Sequence, residues 1–301
     1  MTIQLTGMTA TNPRDFLATL GLLRVLTASH PDARLSFSAD AFYAPEIHRV
    51  EETRVIDLIV QDAMNQEGPQ PWRLEYQKTE KRGTKRVSDL KPLPSVFREF
   101  LKTSIASWNA GEKEAAAYAA AFATDVAVDG NGNTKPTALH FTAANQQFLE
   151  TIERIRASMA RDWVEKALFE GNAYRSGPNV RWDPAADRAY ALMAINPTTR
   201  GTIVNAPLEW LAFRGLPLLP VVPRGARAET TGVQGRGAEM CYRWPLWEPP
   251  ASLRSVASLV RLDWWNERLD RTAFGVIAIC TSEIRRSAQG FGNFGPAHVI
   301  V

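Results

Sequence analysis

Apolar positions crowd the stretch that follows Asn12-Pro13-Arg14-Asp15. Phe16, Leu17, Leu20, Leu22, Leu23, Val25 and Leu26 cover most of a helical circumference, which predicts a helix buried on nearly all sides, capped by Asn12 with Pro13 in its first turn. Gly21, in its middle, costs about 1 kcal/mol of helix propensity and predicts close packing against a neighbouring backbone. Ile3 and Leu5 before the helix and Leu35-Ser36-Phe37 after it alternate as short strands, so the chain opens as β-α-β. Val55 to Ala63 has helical spacing. Gly68-Pro69-Gln70-Pro71 then breaks the chain before Trp72-Arg73-Leu74-Glu75-Tyr76, which alternates as a strand. Phe97 to Trp108 and Glu112 to Phe122 read as helices. Phe141-Thr142-Ala143-Ala144 is expected to open a long amphipathic helix, in which Phe148, Leu149, Ile152, Ile155 and Met159 recur at three- and four-residue spacing. A further helix around Leu208 to Phe213 precedes Pro217-Leu218-Leu219-Pro220-Val221-Val222-Pro223, whose prolines confine it to an edge or polyproline segment.

From Gly171 onward the texture changes to Gly, Pro, Trp and Arg. The expected class is therefore α+β, with a mixed, helix-rich N-terminal part (1–167) and a more strand-rich, basic C-terminal part (168–301) bearing long Arg/Gly loops, the two being separate or one continuous domain. With 301 residues, 45% apolar and 22% charged, the chain has ample material for a core, which excludes disorder, collagen and a disulfide-stapled miniprotein. Two isolated cysteines, Cys241 and Cys280, form no framework and no C-x-x-C pair, so a reducing cytoplasm is the expected location. No stretch reaches about eighteen uninterrupted apolar residues and no basic-then-apolar leader opens the chain, so neither membrane spanning nor secretion is expected.

Net charge is only +3, but it is unevenly spread: −2 up to Glu150 and +5 from Thr151, with every basic residue after Lys166 an arginine. Arginine favours planar, bidentate contacts with phosphate. Three segments concentrate basic charge beside turn residues. Lys78, Lys81, Arg82, Lys85 and Arg86 surround Gly83 as the tip of a hairpin. Arg224, Arg227 and Arg236 lie among Gly225, Gly232, Gly235 and Gly237. Arg285 and Arg286 precede Gly290-Phe291-Gly292-Asn293-Phe294-Gly295, where Phe291 and Phe294 are candidates to stack on bases. Arg181-Trp182-Asp183-Pro184-Ala185-Ala186-Asp187-Arg188 reads as a salt-bridged turn, or as aspartates holding arginines for an outside anion or ligating magnesium in a nuclease.

Catalytic patterns are thin. The histidines His30, His48, His140 and His298 are scattered, no G-x-S-x-G elbow occurs, and no phosphate-binding or dinucleotide loop sits in its required context, so no catalytic residue, metal or cofactor is expected. Asp129, Asn131 and Asn133 alternate as in a calcium loop, yet the position of the bidentate glutamate is held by His140. Trp244-Pro245-Leu246-Trp247 offers a third reading, a protein-only scaffold that docks partners through exposed aromatics.

Asn12-Pro13-Arg14-Asp15-Phe16-Leu17-Ala18-Thr19-Leu20-Gly21-Leu22-Leu23-Arg24, Leu139-His140-Phe141-Thr142-Ala143, Arg181-Trp182-Asp183-Pro184 and Gly215-Leu216-Pro217-Leu218-Leu219-Pro220 together resemble the small subtype-specific proteins encoded with type I-G (formerly I-U) CRISPR systems. The motifs spread over most of the chain; each is short and none is a catalytic signature. The resemblance implies a cytoplasmic role in prokaryotic antiviral defence, as a non-enzymatic subunit or accessory of an RNA-guided surveillance complex. Its partners would be guide RNA, target DNA and other effector subunits, with no membrane. In such complexes base pairing reads sequence while protein grips backbone, a task that suits arginine loops. A nuclease acting on RNA or DNA is the enzymatic alternative.

Overall fold

Asn12 caps the first helix through its side chain, which accepts from the Arg14 backbone N–H, and Pro13 fills the first turn, where its missing N–H costs nothing. In the computed structural model, which describes residues 1–65, 70–80, 83–143, 145–171, 173–184, 203–288 and 290–300, this helix, α1 (Pro13–Ser29), is the centre of the molecule. Phe16, Leu17, Leu20, Leu22, Leu23 and Leu26 are all inaccessible. The chain around it is α+β; among the described residues six of the eight α-helices lie before residue 170, while the strands divide nearly evenly, seven before it and eight after.

The opening has one strand more than the sequence pattern suggests. β1 (Thr2–Gln4) and β2 (Arg34–Phe37) do not pair with each other; both pair antiparallel with β3 (Pro45–His48), which lies between them. The unit is thus a split β-α-β. β3 escapes the alternation rule because Pro45 begins it and only Ile47 is a large apolar residue inside it.

α2 (Glu52–Met64) follows, then a hairpin of β4 (Glu75–Glu80) and β5 (Gly83–Ser88), and α3 (Pro94–Asn109) and α4 (Lys113–Phe122). β6 (Ala123–Val128) and β7 (Thr134–Pro136) form a second hairpin around Asp129, whose carboxylate accepts from the N–H groups of Asn131 (2.8 Å) and Asn133 (3.0 Å). That turn accounts for the alternating Asp and Asn residues without calcium. α5 (Phe148–Ala157) and α6 (Arg161–Phe169) complete the helical part. After β8 (Arg175–Ser176) and β9 (Ile203–Val204), α7 (Ala206–Gly215) leads into the hairpin β10 (Val221–Arg224) and β11 (Arg227–Thr230). The chain ends in a four-stranded antiparallel sheet, β12 (Val233–Gln234), β13 (Cys241–Trp247), β14 (Val276–Arg286) and β15 (Gly292–Val299), in that order, with α8 (Leu253–Leu259) inserted between β13 and β14.

One hydrophobic core runs through both parts of the chain. α7 lies directly against α1, where a Cβ on Gly21 would overlap the Leu211 carbonyl oxygen and one on Gly215 would overlap that of Leu17. Only paired glycines allow backbones so close. The C-terminal sheet packs on the other side of α1. Trp244 and Trp247 are buried there, their ring centroids 5.9 and 6.4 Å from that of Phe16, and their indole N–H groups donate to Ala10 O and Leu35 O, each at 2.9 Å. The tryptophans expected to serve a scaffold are therefore core residues, satisfied internally.

Gly21→Ala is expected to destabilise the fold by about 3 kcal/mol, as overpacking does, although alanine is the better helix former by about 1 kcal/mol. Gly130→Ala, with open space at its Cβ, should change stability by less than about 0.5 kcal/mol. Urea midpoints check both; a stabilised Gly21→Ala would contradict the close crossing.

Candidate nucleic-acid interface

Residues 137–143 connect β7 to α5, and their backbone polar groups are claimed from several directions. The Ala138 N–H donates to Thr230 Oγ1 at the end of β11 (2.7 Å), and the Ala138 carbonyl accepts from Arg286 Nη2 at the end of β14 (2.8 Å). Leu139 O accepts from the Trp182 indole (2.8 Å), His140 O from Arg286 Nη1 (3.1 Å) and Phe141 O from the Gly292 N–H (2.9 Å). A helix starting at Phe141 would need the His140 and Phe141 carbonyls for its own first turn. They are already bound, so α5 begins only at Phe148.

The same segment anchors the β4–β5 hairpin. His140 Nε2 donates to Asp89 Oδ1 (2.9 Å), just beyond β5, and the Phe148 N–H donates to the same oxygen (3.1 Å). Burial pushes the Asp89 carboxyl up, but these hydrogen bonds bring it below its ordinary value; burial also pushes the His140 imidazole down. Neutral His140 donating to ionised Asp89 satisfies both groups. Lys91 lies close enough to Arg286 and Lys78 for their repulsion to lower its ammonium pKa further, beyond the effect of burial and against the pull of Asp89. The β4–β5 hairpin region and β14 thus bring basic side chains near one another, with Asp89 and Asp129 among them.

Lys85 is exposed and stands directly opposite Lys78 across the hairpin. Arg86 instead pairs with Glu75 on β4. Lys81 and Arg82 lie outside the described residues. Arg224 and Arg227 face each other across the tip of β10–β11, exposed, with Arg224 only 3.4 Å from Glu229. Arg236 is exposed at the end of β12. Arg285 is exposed and pairs with Glu283 (3.0 Å), whereas Arg286 spends its guanidinium on the carbonyls of Ala138 and His140. Phe291 is half-buried under the Arg181 guanidinium, 4.5 Å above its ring centroid. Phe294 is 1% exposed and packs edge-on against Phe141 at 4.9 Å, so it has no face for a base and belongs to the core. Lys91 was not legible as a site residue; Arg181 was, in the 181–188 run, but its place over the Phe291 ring rather than beside an aspartate was not.

Asp183, a candidate for nuclease chemistry, is 5% exposed and committed to the fold. It accepts from Asn12 Nδ2 (3.1 Å), from the Tyr174 hydroxyl (2.6 Å) and from Arg14, which also grips Asp15 at 2.7 Å. Beside this network the Glu209 carboxylate on α7 accepts from the Val180 N–H at 2.6 Å. Burial pushes the Glu209 carboxyl up to about 7, against the pull of that N–H and of Arg14. Asp187 and Arg188 lie outside the described residues. Among the described residues, no group of three or more His, Cys, Asp or Glu side chains is arranged to hold a metal ion, and no helix is long and apolar enough to cross a membrane.

The motifs that carry the CRISPR resemblance are therefore linked in space: Arg14 to Asp183, Trp182 to Leu139, and Gly21 to Gly215. No protein-family model and no curated protein matches the chain.

Asp183→Ala leaves Arg14 buried without this partner and is expected to cost about 3–5 kcal/mol, read from urea unfolding. From the unfolded carboxyl's ordinary range up to about pH 7 the folded chain keeps on Glu209 a proton that the unfolded chain has lost, so rising pH removes stability, on the order of 3 kcal/mol across the interval. Glu209→Gln keeps an acceptor for Val180 and abolishes the titration. Its stability relative to wild type should therefore climb between about pH 5 and 7.5; a constant difference would exclude this role for Glu209.

Proposed function

We propose that this chain binds nucleic acid as a non-enzymatic subunit or accessory of an RNA-guided CRISPR surveillance complex in prokaryotic antiviral defence. It works in the cytoplasm, on guide RNA or target DNA and beside other effector subunits. The observation that carries the reading is a repeated placement of like charges opposite each other. The β4–β5 hairpin sets Lys78 across from Lys85, and the β10–β11 hairpin sets Arg224 across from Arg227. Like charges directly opposite on neighbouring strands weaken a hairpin. A polyanion laid across the strands turns the same pairs into attraction, because neutralising phosphates releases condensed counterions. Both hairpins are tied to the 137–143 segment, which fixes their separation: β10–β11 through Thr230 and β4–β5 through Asp89 and His140. The resemblance of four short motifs to CRISPR-associated proteins supplies the biological setting, and their mutual contacts give those motifs a common structural purpose.

Binding and stability should move in opposite directions when these pairs are broken. Lys85→Thr with Arg227→Thr is expected to leave the urea midpoint unchanged or slightly raised. Affinity for a labelled single-stranded RNA should fall, and the slope of log affinity against log salt should shrink by about 0.7 for each phosphate that is no longer neutralised. Wild-type affinity and slope in this variant would overturn the assignment of these residues.

A further inference from the structure

At the mouth of the β14–β15 hairpin the chain holds an arginine on an aromatic ring in a way the core does not require. Arg181 sits in the left-handed region at φ +68°, a conformation that strains a non-glycine residue. Its neighbours on both sides are immobilised. Val180 is inaccessible, its N–H bound to Glu209, and Trp182 is inaccessible with its indole bound to Leu139 O. Arg181 itself is exposed, and among the described residues it makes no ion pair and no hydrogen bond, so its donors are unspent. Its guanidinium instead lies 4.5 Å over the Phe291 ring.

Phe291 is fixed as firmly. Its carbonyl accepts from the Ser287 N–H at 2.8 Å and its own N–H donates to Ser287 Oγ at 3.2 Å, which closes the tip of the hairpin. Gly290 takes φ +86° to make the turn, and Gly292 binds Phe141 O. Both partners of the pair thus hang from the segment that anchors the bases of the two basic hairpins, Arg181 through Trp182 and Phe291 through Gly292.

We propose that Arg181 and Phe291 form a stacking subsite for one unpaired nucleobase of a single-stranded nucleic acid. The inference rests on the binding function proposed above and adds what that function lacks, a contact with bases rather than phosphates. A planar guanidinium on an aromatic face presents a second flat, cationic surface to solvent, suited to a base, and its edge N–H groups remain available to base or phosphate acceptors. A base in a duplex is already stacked on both faces, so the subsite selects single strands. The site accepts any base, because every base has a π-face, and it discriminates against backbone alone.

The test compares fluorescently labelled twelve-nucleotide probes, oligouridine RNA, oligothymidine DNA, an abasic oligonucleotide of equal charge and an RNA duplex, on the full chain. Wild type should bind oligouridine more tightly than the abasic strand and the duplex, and the DNA arm tells which sugar is preferred. Phe291→Ala, and Arg181→Gly, chosen because glycine tolerates positive φ, should each weaken oligouridine binding by about tenfold. Abasic binding should stay the same for Phe291→Ala. Phe291→Trp should restore affinity, and Phe291→Ala should leave the salt slope unchanged, as expected for an uncharged residue. Equal wild-type affinity for oligouridine and the abasic strand, or undiminished oligouridine binding by Phe291→Ala, would overturn the stacking subsite while the binding function stood. Failure of wild type to bind any probe would overturn both.

Discussion

Everything in this molecule is arranged around two helices whose backbones touch. The Gly21–Gly215 crossing brings α7 so close to α1 that neither position tolerates a methyl group without displacement, and that closeness sets where each remaining layer sits. With α7 in place, its Glu209 end pins the 180–182 segment and its Arg214 end pairs with Asp62 (3.0 Å) and Glu114 (3.3 Å) while donating to the Tyr118 hydroxyl (2.7 Å). α2 and α4 are thereby drawn onto the same pair of helices. With α1 in place, Phe16 receives the tryptophans of the C-terminal sheet. Neither half of the chain has a core of its own in this arrangement, because the central contact takes one helix from each.

A core crossed by so many charges needs every one of them answered. Arg14 is the clearest case: buried at 3% exposure, it is held by Asp15 and Asp183, with Asn12 donating to Asp183 Oδ1 and the Tyr174 hydroxyl to the Oδ2 that also accepts from Arg14. Such a network adds little net stability over an apolar equivalent, since desolvation offsets most of the Coulombic gain. It is directional, however, and an apolar contact is not. Arg14 can be satisfied only if the chain near Asp183 arrives in one orientation, and that orientation carries Trp182 to Leu139 and leaves Arg181 facing out. The ion network therefore acts as a register device, linking the start of α1 to the place where the basic hairpins assemble.

How much of this was legible in the sequence depended on whether the signal was local. The cap at Asn12, the helix at Pro13–Ser29 and the close packing foretold by Gly21 are consequences of residues within one turn of each other, and all are found. The hairpin around Gly83 is local too, and its basic character follows. β3 and the start of α5 depart from the local pattern for non-local reasons. β3 is stabilised by strands on both sides rather than by its own apolar content. The residues at 141–143 have helical periodicity, but their carbonyl neighbourhood is claimed by Arg286, Trp182 and Gly292, which arrive from 40 to 150 residues away in sequence. The candidate site divides the same way. Glycine-flanked arginines announce exposure, and Arg224, Arg227 and Arg236 are exposed. Alternation of Gly with Phe does not reveal which ring faces out: Gly292 lies against Phe141 and Phe294 turns inward, so Phe291 alone of the two is left at the surface.

The placement of charge separates parts of the molecule that serve folding from parts that do not. Inside, opposite charges meet at hydrogen-bonding distance and most of their donors and acceptors are filled, Arg214 Nε and Arg243 Nε being exceptions among the described residues. At the hairpin tips like charges also stand opposite each other, lysine across from lysine and arginine across from arginine, with Arg224 also 3.4 Å from Glu229, while Arg181 holds a strained backbone angle and makes no ion pair among the described residues. Solubility alone does not account for this, since the same charges placed on alternate faces of the strands would solubilise equally and repel less. Each defect is small, on the order of 1 kcal/mol, and a core of this size absorbs several. What unites them is sign and position: they are all cationic, and the segments that bear Lys78 and Lys85, Arg224 and Arg227, and Arg181 are all tethered to residues 137–143. The bases of both hairpins and the segment that bears Arg181 are thus anchored to one stretch of chain by non-local hydrogen bonds, which fixes how these cationic side chains leave the core.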